Sequence, residues 1–368
     1  MTPLHGLKVV ELARILAGPW IGQALADLGA EVVKIESPSG DDTRTWGPPF
    51  IERDGDKSAA YYYAANRGKT CLVADFRSEE GRAKVLKLIS EADIVIENFK
   101  VGGLAKYGLD YDSVKAANPR LIYCSITGFG QDGPYAERAG YDFLLQGMSG
   151  LMSITGEPGR EPQKVGVAVS DVVTGLYGTI GIMAALEQRH RTGRGQHIDM
   201  SLLDCTMAML ANQNMNFLAT GESPTRRGNA HPNIAPYQVV ATQDGHIILA
   251  VGNDGQFRRF CEVVNRPDLR DAPEYATNQL RVANREALTA EVERETGQWT
   301  SAALLAALEA ATVPAGPINA IGDAFADPQI QHRGMKITPE GVPGVRGPWV
   351  FSDAELALDK SAPTLPKA

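Results

Sequence analysis

The chain has 368 residues, of which 43 % are hydrophobic and 22 % charged, and its formal net charge is −8. This length and composition predict one large domain and a smaller one, and the acidic balance argues against a nucleic-acid partner bound through its phosphates. The N-terminal stretch lacks the basic and long apolar regions of a signal peptide. No apolar run approaches the roughly 18 residues of a membrane span. We therefore expect a cytoplasmic protein without a membrane or nucleic-acid partner.

The cysteines and histidines follow no pattern that is typical of a metal site. The four cysteines are far apart, each in a largely apolar segment, and the six histidines are dispersed. Such cysteines are typical of reduced, buried thiols in a cytosolic protein. There is no HExxH, Walker A or GxGxxG motif. We therefore expect no metal site and no redox cofactor.

Short apolar segments alternate with helical patterns through the first part of the chain. Strands are predicted at 7–12, 31–36, 72–76, 94–96 and 121–126, and helices at 18–28, 78–90 and 111–117. This alternation predicts an α/β fold with a parallel sheet that is covered on both faces. The layout is Rossmann-like but lacks the glycine-rich phosphate fingerprint.

Cations lie in several of the loops that flank these strands. They are Arg14, Arg44, Lys69, Arg77, Lys100 and Lys106. Because the carboxyl ends of parallel strands share one edge of the sheet, these residues are expected there together. In an acidic protein such clustering indicates a polyanionic ligand, for example a nucleotide diphosphate. A merely solvated charged surface is the alternative, and the pattern alone leaves both open.

The segment from Gln163 to Met200 carries the longest helical pattern, which begins at Ser170 and Asp171. Its apolar residues recur every three or four positions and predict one buried face: Val173, Leu176, Ile180, Met183 and Leu186. Gly175, Gly178 and Gly181 form a second, smooth stripe that favours close packing. Asp171 has two interpretations, an N-cap for this helix or a carboxylate nucleophile that the helix N-terminus keeps ionised.

The remainder of the chain predicts a second, smaller domain. Residues 201–218 read as one Met-rich helix that completes a large domain of residues 1–220. A linker at 221–233 leads to a small α+β domain at 234–319, which starts with a hairpin at 237–251 that turns at 243–245. Three helical patterns follow, and residues 320–368 are expected to return to the large domain.

Five segments in order and spacing resemble the class III CoA-transferases, a family related to α-methylacyl-CoA racemase. They are VVELARILAGPWIGQALADLGAEVVKIE, ENFKVGGLAKYGLDYD, NPRLIYCSITGFGQDGPYAERAGYD, SDVVTGLYGTIGIMAALEQRHRTGRGQHIDMSLLD and DPQIQHRGM. The resemblance spans nearly the whole chain. It implies two chains threaded through each other as an interlocked homodimer, each with a Rossmann-like large domain and a small domain.

The resemblance also implies roles for individual residues. The family's nucleophilic carboxylate falls on Asp171, which favours the nucleophile over the cap. Its CoA-binding loops fall on Arg14, Ile15, Leu16, Ala17, Ala74, Arg77, Asn98, Phe99, Lys100, Lys106 and Tyr107. A glycine-rich loop that closes over the active site falls on Gly252, Asn253, Asp254, Gly255 and Gln256, with only two glycines.

The residue Tyr141 helps to distinguish the family's two activities, CoA transfer and racemisation. The racemases have His at this position, which pairs with the carboxylate to move a proton at Cα, and a Tyr with a pKa near 10 is a poor base for that work. The expected activity is CoA transfer from an acyl-CoA to a small carboxylic acid. The alternatives are a 2-methylacyl-CoA racemase or epimerase, and a CoA-binding protein without chemistry.

Overall fold

The computed structural model describes residues 1–366. The first half contains β1 Lys8–Glu11, α1 Ala17–Asp27, β2 Glu31–Glu36, β3 Phe50–Arg53, β4 Asp56–Ala59, α2 Ala60–Tyr63, β5 Thr70–Val73, α3 Glu79–Glu91, β6 Ile94–Glu97, α4 Tyr111–Val114, β7 Ile122–Thr127, α5 Asp142–Met148 and α6 Leu151–Ile154. Next come α7 Val169–Thr192, β8 His197–Ser201, α8 Leu202–Met209 and α9 Asn212–Thr220. The second half contains β9 Tyr237–Thr242, β10 Gly245–Ala250, α10 Asp254–Val263, α11 Pro267–Asp271, α12 Asn278–Ala283, α13 Arg285–Thr296, α14 Ser301–Ala310, β11 Ala315–Pro317, α15 Ile321–Ala326, α16 Pro328–His332, β12 Lys336–Ile337 and β13 Gly344–Val345. Short 3₁₀ helices lie at Asp42–Thr45, Ala105–Tyr107, Pro273–Tyr275 and Pro339–Gly341.

The chain forms two compact units. The first comprises Met1–Met152, Lys164–Ser223 and the chain from Pro328 onward, and the second comprises Ser153–Gln163 and Pro224–Asp327. The limits of the large and the small functional domain, which come from the sequence alone, stay a prediction.

The first unit is built on a six-stranded parallel sheet in the order β5-β2-β1-β6-β7-β8. Renumbered by position in the chain, this is 3-2-1-4-5-6, the strand order of dinucleotide-binding Rossmann folds. The order reverses between β1 and β6, and ligands of such sheets bind beyond the carboxyl ends of the strands at that point. The predicted Rossmann-like parallel sheet is confirmed.

Alternate residues of each strand pack on opposite faces of this sheet. Val9 and Ile94 belong to a core with α1 and α7, and Val10 and Val95 belong to a second core with α3. Strands buried on both faces read as continuous apolar runs, which made them recognisable in the sequence. The predicted third strand lies earlier than expected, at Thr70–Val73. Strand β8 and the β3–β4 hairpin were not predicted from the sequence. The hairpin turns at Asp54-Gly55 with two positive φ angles.

Helix α7 packs differently from the prediction. Leu176, Ile180 and Met183 are exposed in the chain (Ile180 by 62 %), whereas Leu186 is buried as expected. The in-chain packing face is instead the glycine stripe: a Cβ on Gly178 would lie 2.4 Å from Ile21 Cδ1 of α1. By length and composition α7 also passes as a membrane span, contrary to expectation, yet it packs in the core of this unit.

The Met-rich helix expected over 201–218 is two helices. Helix α8 ends at Met209 and α9 begins at Asn212, because Ala211 takes a positive φ of 45° that interrupts the helix. A periodic apolar pattern cannot reveal such a break.

The second unit has an antiparallel sheet in the order β11-β10-β9 and helices α10 to α14. This unit has a separate apolar core, in which Ile247 and Leu249 of β10 pack with Phe257 and Phe260 of α10. The predicted hairpin is confirmed as β9 and β10, but five helices stand where three were expected.

Candidate active site

A cavity of about 390 Å³ lies in the first unit, beyond the carboxyl ends of β1 and β6. This is where the strand order reverses and where a ligand is expected. Its lining includes the predicted site residues Arg14, Ile15, Leu16, Ala17, Asn98, Phe99, Lys100, Tyr141 and Asp171, together with Thr127, Gly128, Arg138 and Gly140. Residues from five separate parts of the sequence therefore meet at one site.

The loop after β1 reaches the cavity through a tight turn. A Cβ on Gly18 would lie 2.3 Å from the Cβ of Ala13, so glycine is required where helix α1 folds back on the strand. The side chain of Asn98, directly after β6, hydrogen-bonds both the N–H and the C=O of Arg14. The loops after β1 and β6 are therefore joined side by side at the sheet edge.

Asp171 occupies the first turn of helix α7 but is not its N-cap. The helix begins at Val169 after the N-cap Ala168, which makes no side-chain capping bond. The capping contact comes instead from Asp142, whose Oδ1 accepts the backbone N–H of Ser170 at 2.8 Å. Within the described residues, Asp171 Oδ1 and Oδ2 accept no hydrogen bond and pair with no cation, so its carboxylate remains available to a substrate.

The charge state of Asp171 is set by its surroundings. Burial raises its pKa from 3.8 to about 7, and the nearby charge of Asp142 adds to the rise. Tyr61 lies within reach of the same charges, since its own pKa is raised by burial and by both carboxylates. Tyr61 also contacts Trp46 edge-on, with ring centroids 5.3 Å apart. A carboxylate with so little solvation is suited to nucleophilic attack.

Two glycines fix the segment that carries Tyr141 and Asp142. A Cβ on Gly128, at the end of β7, would lie 2.6 Å from the Cα of Gly140, so the two backbones are in direct contact. The loop between them is closed at its base. Tyr141 follows as the N-cap of α5 and is 66 % exposed, and Asp142 is the first residue of that helix.

The remaining predicted CoA residues of this unit lie outside the cavity lining. Ala74, Arg77, Lys106 and Tyr107 belong to two neighbouring loops. These loops meet the cavity loop through aromatic contacts of Phe76 with Phe99 and with Tyr107, with centroids 5.7 and 5.2 Å apart. The guanidinium of Arg77 pairs with Asp75 at 2.9 Å.

Two of the six cations that the sequence placed near a ligand instead form buried ion pairs within the fold. Arg44 is buried against Glu36 at 2.7 Å, and Lys69 is buried against Glu11 at 2.8 Å. Their partners lie 8 and 58 residues away in the sequence, which the pattern of cations cannot show. A third cation, Arg14, lines the cavity but pairs with Asp42 at 3.0 Å.

The comparisons with known proteins match this site to one family. The model of CoA-transferase family III matches residues 4–367. The chain is 57 % identical over 371 residues to succinate–glutarate CoA-transferase of Agrobacterium fabrum, covering 99 % of this chain and 93 % of that protein. It is 40 % identical to human succinyl-CoA:glutarate CoA-transferase, with 99 % and 83 % covered. A crystal structure of a CaiB/BaiF family protein from Brucella suis superposes with a TM-score of 0.90 and 64 % identity, with 99 % and 96 % covered.

The chain belongs to CoA-transferase family III.

Membership settles the class of reaction. The chain is a CoA-transferase, and its substrates are CoA thioesters and carboxylic acids. The predicted enzyme class and family are confirmed, and the reading as a CoA-binding protein without chemistry is excluded. Among the described residues no group of three or more His, Cys, Asp or Glu side chains is placed to hold a metal ion.

The segment at Gly252 to Gln256 begins a helix in this CoA-transferase, and its role as a loop over the active site stays a prediction. Asn253 is the N-cap of α10, and its Oδ1 accepts the N–H of Gln256 at 2.9 Å. The side chain of Gln256 in turn accepts the N–H of Gly252 at 2.7 Å. Asp254 forms an ion pair with the buried Arg281. The segment is thus a capped helix start within the second unit.

Three cavity-side residues escaped the sequence analysis of this CoA-transferase. Arg138 lines the cavity and lies over the ring of Tyr135, 4.4 Å from its centroid. The charge of Asp142 raises the pKa of Asp171, and the charges of both carboxylates raise the pKa of Tyr61. Asp142 had a visible signal, since an acidic residue directly after Gly140-Tyr141 begins a helical pattern. Tyr61 had none, because the run Tyr61-Tyr62-Tyr63 reads as core.

Proposed function

We propose that Asp171 is the nucleophile of this CoA-transferase and carries the acyl group and then CoA in turn. One observation carries the proposal: the carboxylate of Asp171 faces the cavity formed by the loops after β1 and β6, with no cation to neutralise it among the described residues. A partly buried carboxylate that nothing in the fold requires as an ion-pair partner is costly for stability. A carboxylate with a raised pKa at such a cavity favours a catalytic role.

The first half of the proposed reaction moves CoA onto the protein. A carboxylate oxygen of Asp171 attacks the thioester carbonyl carbon of the donor, the new C–O bond forms, the C–S bond breaks, and CoA leaves as its thiolate. The thiolate then attacks the Asp171 carbonyl of this mixed anhydride. The donor acid leaves as its carboxylate, and Asp171 holds CoA as a thioester.

The second half reverses these steps with the acceptor. The acceptor carboxylate attacks the aspartyl thioester and expels CoA thiolate, which gives a second mixed anhydride. The thiolate then attacks the acceptor carbonyl, so the new acyl-CoA forms and the Asp171 carboxylate is regenerated. These steps need no net proton, metal or electron. Together they replace a direct exchange of CoA between two acids by successive attacks on activated acyl groups.

The environment of Asp171 supports this chemistry. Partial burial removes water from the carboxylate, which raises both its basicity and its reactivity. The positive end of the α7 dipole stabilises negative charge in the first helical turn. Asp142 opposes ionisation from one side, so the carboxylate is held at a balance in which attack and departure are both accessible near neutral pH.

The cations of the cavity support binding of the CoA phosphates there. Lys100 and Arg138 line it from two different loops, and neither forms an ion pair with another described residue. Arg14 lies beside Phe99, 5.5 Å from its ring centroid, and its charge is partly offset by the ion pair with Asp42. We propose that the neighbouring loops with Arg77, Lys106 and Tyr107 hold the nucleotide end.

The substrate class follows from the relatives. The two transferases described above are named for succinate or succinyl-CoA and glutarate, and we propose that this chain likewise exchanges CoA between dicarboxylates of this size. The test is mass spectrometry of the acyl-CoA products from succinyl-CoA and a panel of mono- and dicarboxylates, with Asp171→Asn as control. Glutaryl-CoA formed by the wild type alone supports the proposal. Products from monocarboxylates only would contradict the substrate class.

An exposed apolar surface supports the proposed homodimer. Helices α5, α7 and α9 each expose apolar side chains, which are Phe143, Leu144, Leu176, Tyr177, Ile180, Met183, Met215 and Leu218, each 38 to 70 % exposed in the single chain. Apolar surfaces of this kind mark interfaces. The glycine stripe of α7 is not part of this exposed surface, because Gly175 and Gly178 pack against α1 of the same chain. A cytoplasmic location stays a prediction, which the four free cysteines support.

A further inference from the structure

Ile15, at the wall of the cavity, has a backbone conformation that its side chain disfavours. Its φ is +71°, in the left-handed region. A β-branched residue rarely occupies this region, because Cβ and the backbone crowd each other there. Such a conformation persists only where the surrounding structure holds it, and it tends to occur at functional sites.

The side chain of Asn98 is the main contact that holds this loop. Its Oδ1 accepts the N–H of Arg14 at 2.8 Å, and its Nδ2 donates to the C=O of Arg14 at 2.6 Å. The backbone ladder between β1 and β6 has just ended with the bond from Leu12 N–H to the C=O of Ile96 at 2.8 Å. The amide of Asn98 therefore continues the ladder for one more residue, as a peptide group would.

Two further side chains, Lys34 and Asp41, also contact the loop that carries Ile15. Lys34 Nζ donates to the C=O of Ala13 at 2.8 Å from beneath the loop, and Asp41 Oδ1 lies 3.4 Å from the N–H of Ile15. Lys34 and Asp41 are themselves buried and paired at 3.0 Å. Of these supporting side chains, only Asn98 also lines the cavity.

We propose that Asn98 is a positioning residue: its amide holds Arg14 and Ile15 in the conformation that receives acyl-CoA, and it does not bind CoA itself. Both of its polar atoms are engaged by Arg14. This differs from the direct CoA contact that the family resemblance implied for Asn98. The inference rests on the proposed function only in naming acyl-CoA as the ligand of the cavity.

The test compares three variants by the Kd for free CoA, measured by calorimetry, and by kcat/KM for succinyl-CoA. Asn98→Ala removes both bonds to Arg14, and we expect the Kd to rise about tenfold, the scale of one lost hydrogen bond whose partner is left without a protein contact. Asn98→Asp keeps the acceptor and loses the donor, so an intermediate loss is expected. It also provides a second variant if Asn98→Ala does not fold.

Asn118→Ala is the matched control. Asn118 is half-buried like Asn98, and its Nδ2 donates to the C=O groups of Ile89 and Ala92, away from the cavity. We expect this variant to lose thermal stability but to keep its Kd within about twofold, because its bonds hold a different loop.

Rescue decides between positioning and direct contact. Glycine adopts a positive φ without strain, so adding Ile15→Gly to Asn98→Ala should restore the Kd to within about threefold of the wild type. A double variant as weak as Asn98→Ala alone would overturn the proposal in favour of direct contact, and an unchanged Kd in Asn98→Ala would overturn it outright. If the wild type binds CoA but transfers none, the proposed function fails while the Kd series still tests Asn98.

Discussion

Asp142 Oδ1 accepts the backbone N–H of Ser170 at 2.8 Å, so a carboxylate from helix α5 caps the helix that presents the candidate nucleophile in the next position. The side chain of Asp142 thereby affects Asp171 in two ways. It fixes the first turn of α7, and its negative charge raises the pKa of Asp171. The site couples helix capping to nucleophile basicity.

The pH dependence of activity should reflect this coupling. The pKa of Asp171 is about 7, and only the carboxylate attacks, so kcat/KM should fall about tenfold per unit below that pH. Asp142→Asn keeps an oxygen for Ser170 but removes the charge, so the pKa of Asp171 should fall and the acidic limb should move to lower pH. A pH profile of kcat/KM for both proteins checks this. An acidic limb at the same pH in Asp142→Asn would contradict the coupling.

The free energy of unfolding should show how much the ionised carboxylate of Asp171 destabilises the folded chain. Between pH 3.8 and about 7 the folded chain keeps the Asp171 proton while the unfolded chain has lost it, so wild-type stability declines as the pH rises through this window. Asp171→Asn stays neutral and should be more stable at pH 8, with no gain below pH 3.8. The gain is at most about 4 kcal/mol, and less because the side chain keeps some solvent contact.

Denaturant unfolding at pH 8 and below pH 3.8 measures the difference in stability between Asp171→Asn and the wild type. Asp132→Asn, which changes an exposed carboxylate, is the control. Equal stability of Asp171→Asn and the wild type at pH 8 would mean that the carboxylate is well solvated in the folded chain.

CoA affinity should depend unequally on two predicted cations. Lys100 lines the cavity and pairs with no other described residue, whereas Arg77 already pairs with Asp75. Lys100→Ala should therefore raise the Kd for CoA more than Arg77→Ala does, and the effect should shrink at high salt as the charges are screened. Titration at two ionic strengths checks both points. Equal effects of the two variants, or no dependence on salt, would argue against a phosphate contact of Lys100.

Several features of this fold were readable from the sequence because they depend on neighbours along the chain. The strands β1, β2, β6 and β7 are short apolar runs, and a parallel sheet follows from their alternation with helices. The burial of Lys69 was not readable, because its partner Glu11 lies 58 residues away. Helix α7 shows a second limit: periodicity finds the apolar face with Ile180, but not whether that face meets the chain's own core.

The exposed apolar surface of α5, α7 and α9 should be covered in solution. Ile180→Asp should lower the Tm strongly if a second chain packs there, whereas the same substitution at Leu86, on helix α3, is the control at a similarly apolar exposed position. Sedimentation should show a dimer even at nanomolar concentration. A compact folded monomer of 39.5 kDa at that dilution would refute the interlocked assembly.

The most direct test of Asp171 as the nucleophile is chemical trapping of the aspartyl intermediate. Hydroxylamine added during turnover with succinyl-CoA attacks an aspartyl thioester or anhydride and leaves a hydroxamate, which peptide mass spectrometry locates. Asp142→Asn, whose reacting carboxylate is intact, should still be labelled at Asp171, and Asp171→Asn should not be labelled. We expect a single turnover-dependent hydroxamate at Asp171. Full transfer activity with no hydroxamate there, or with label on another carboxylate, would contradict it.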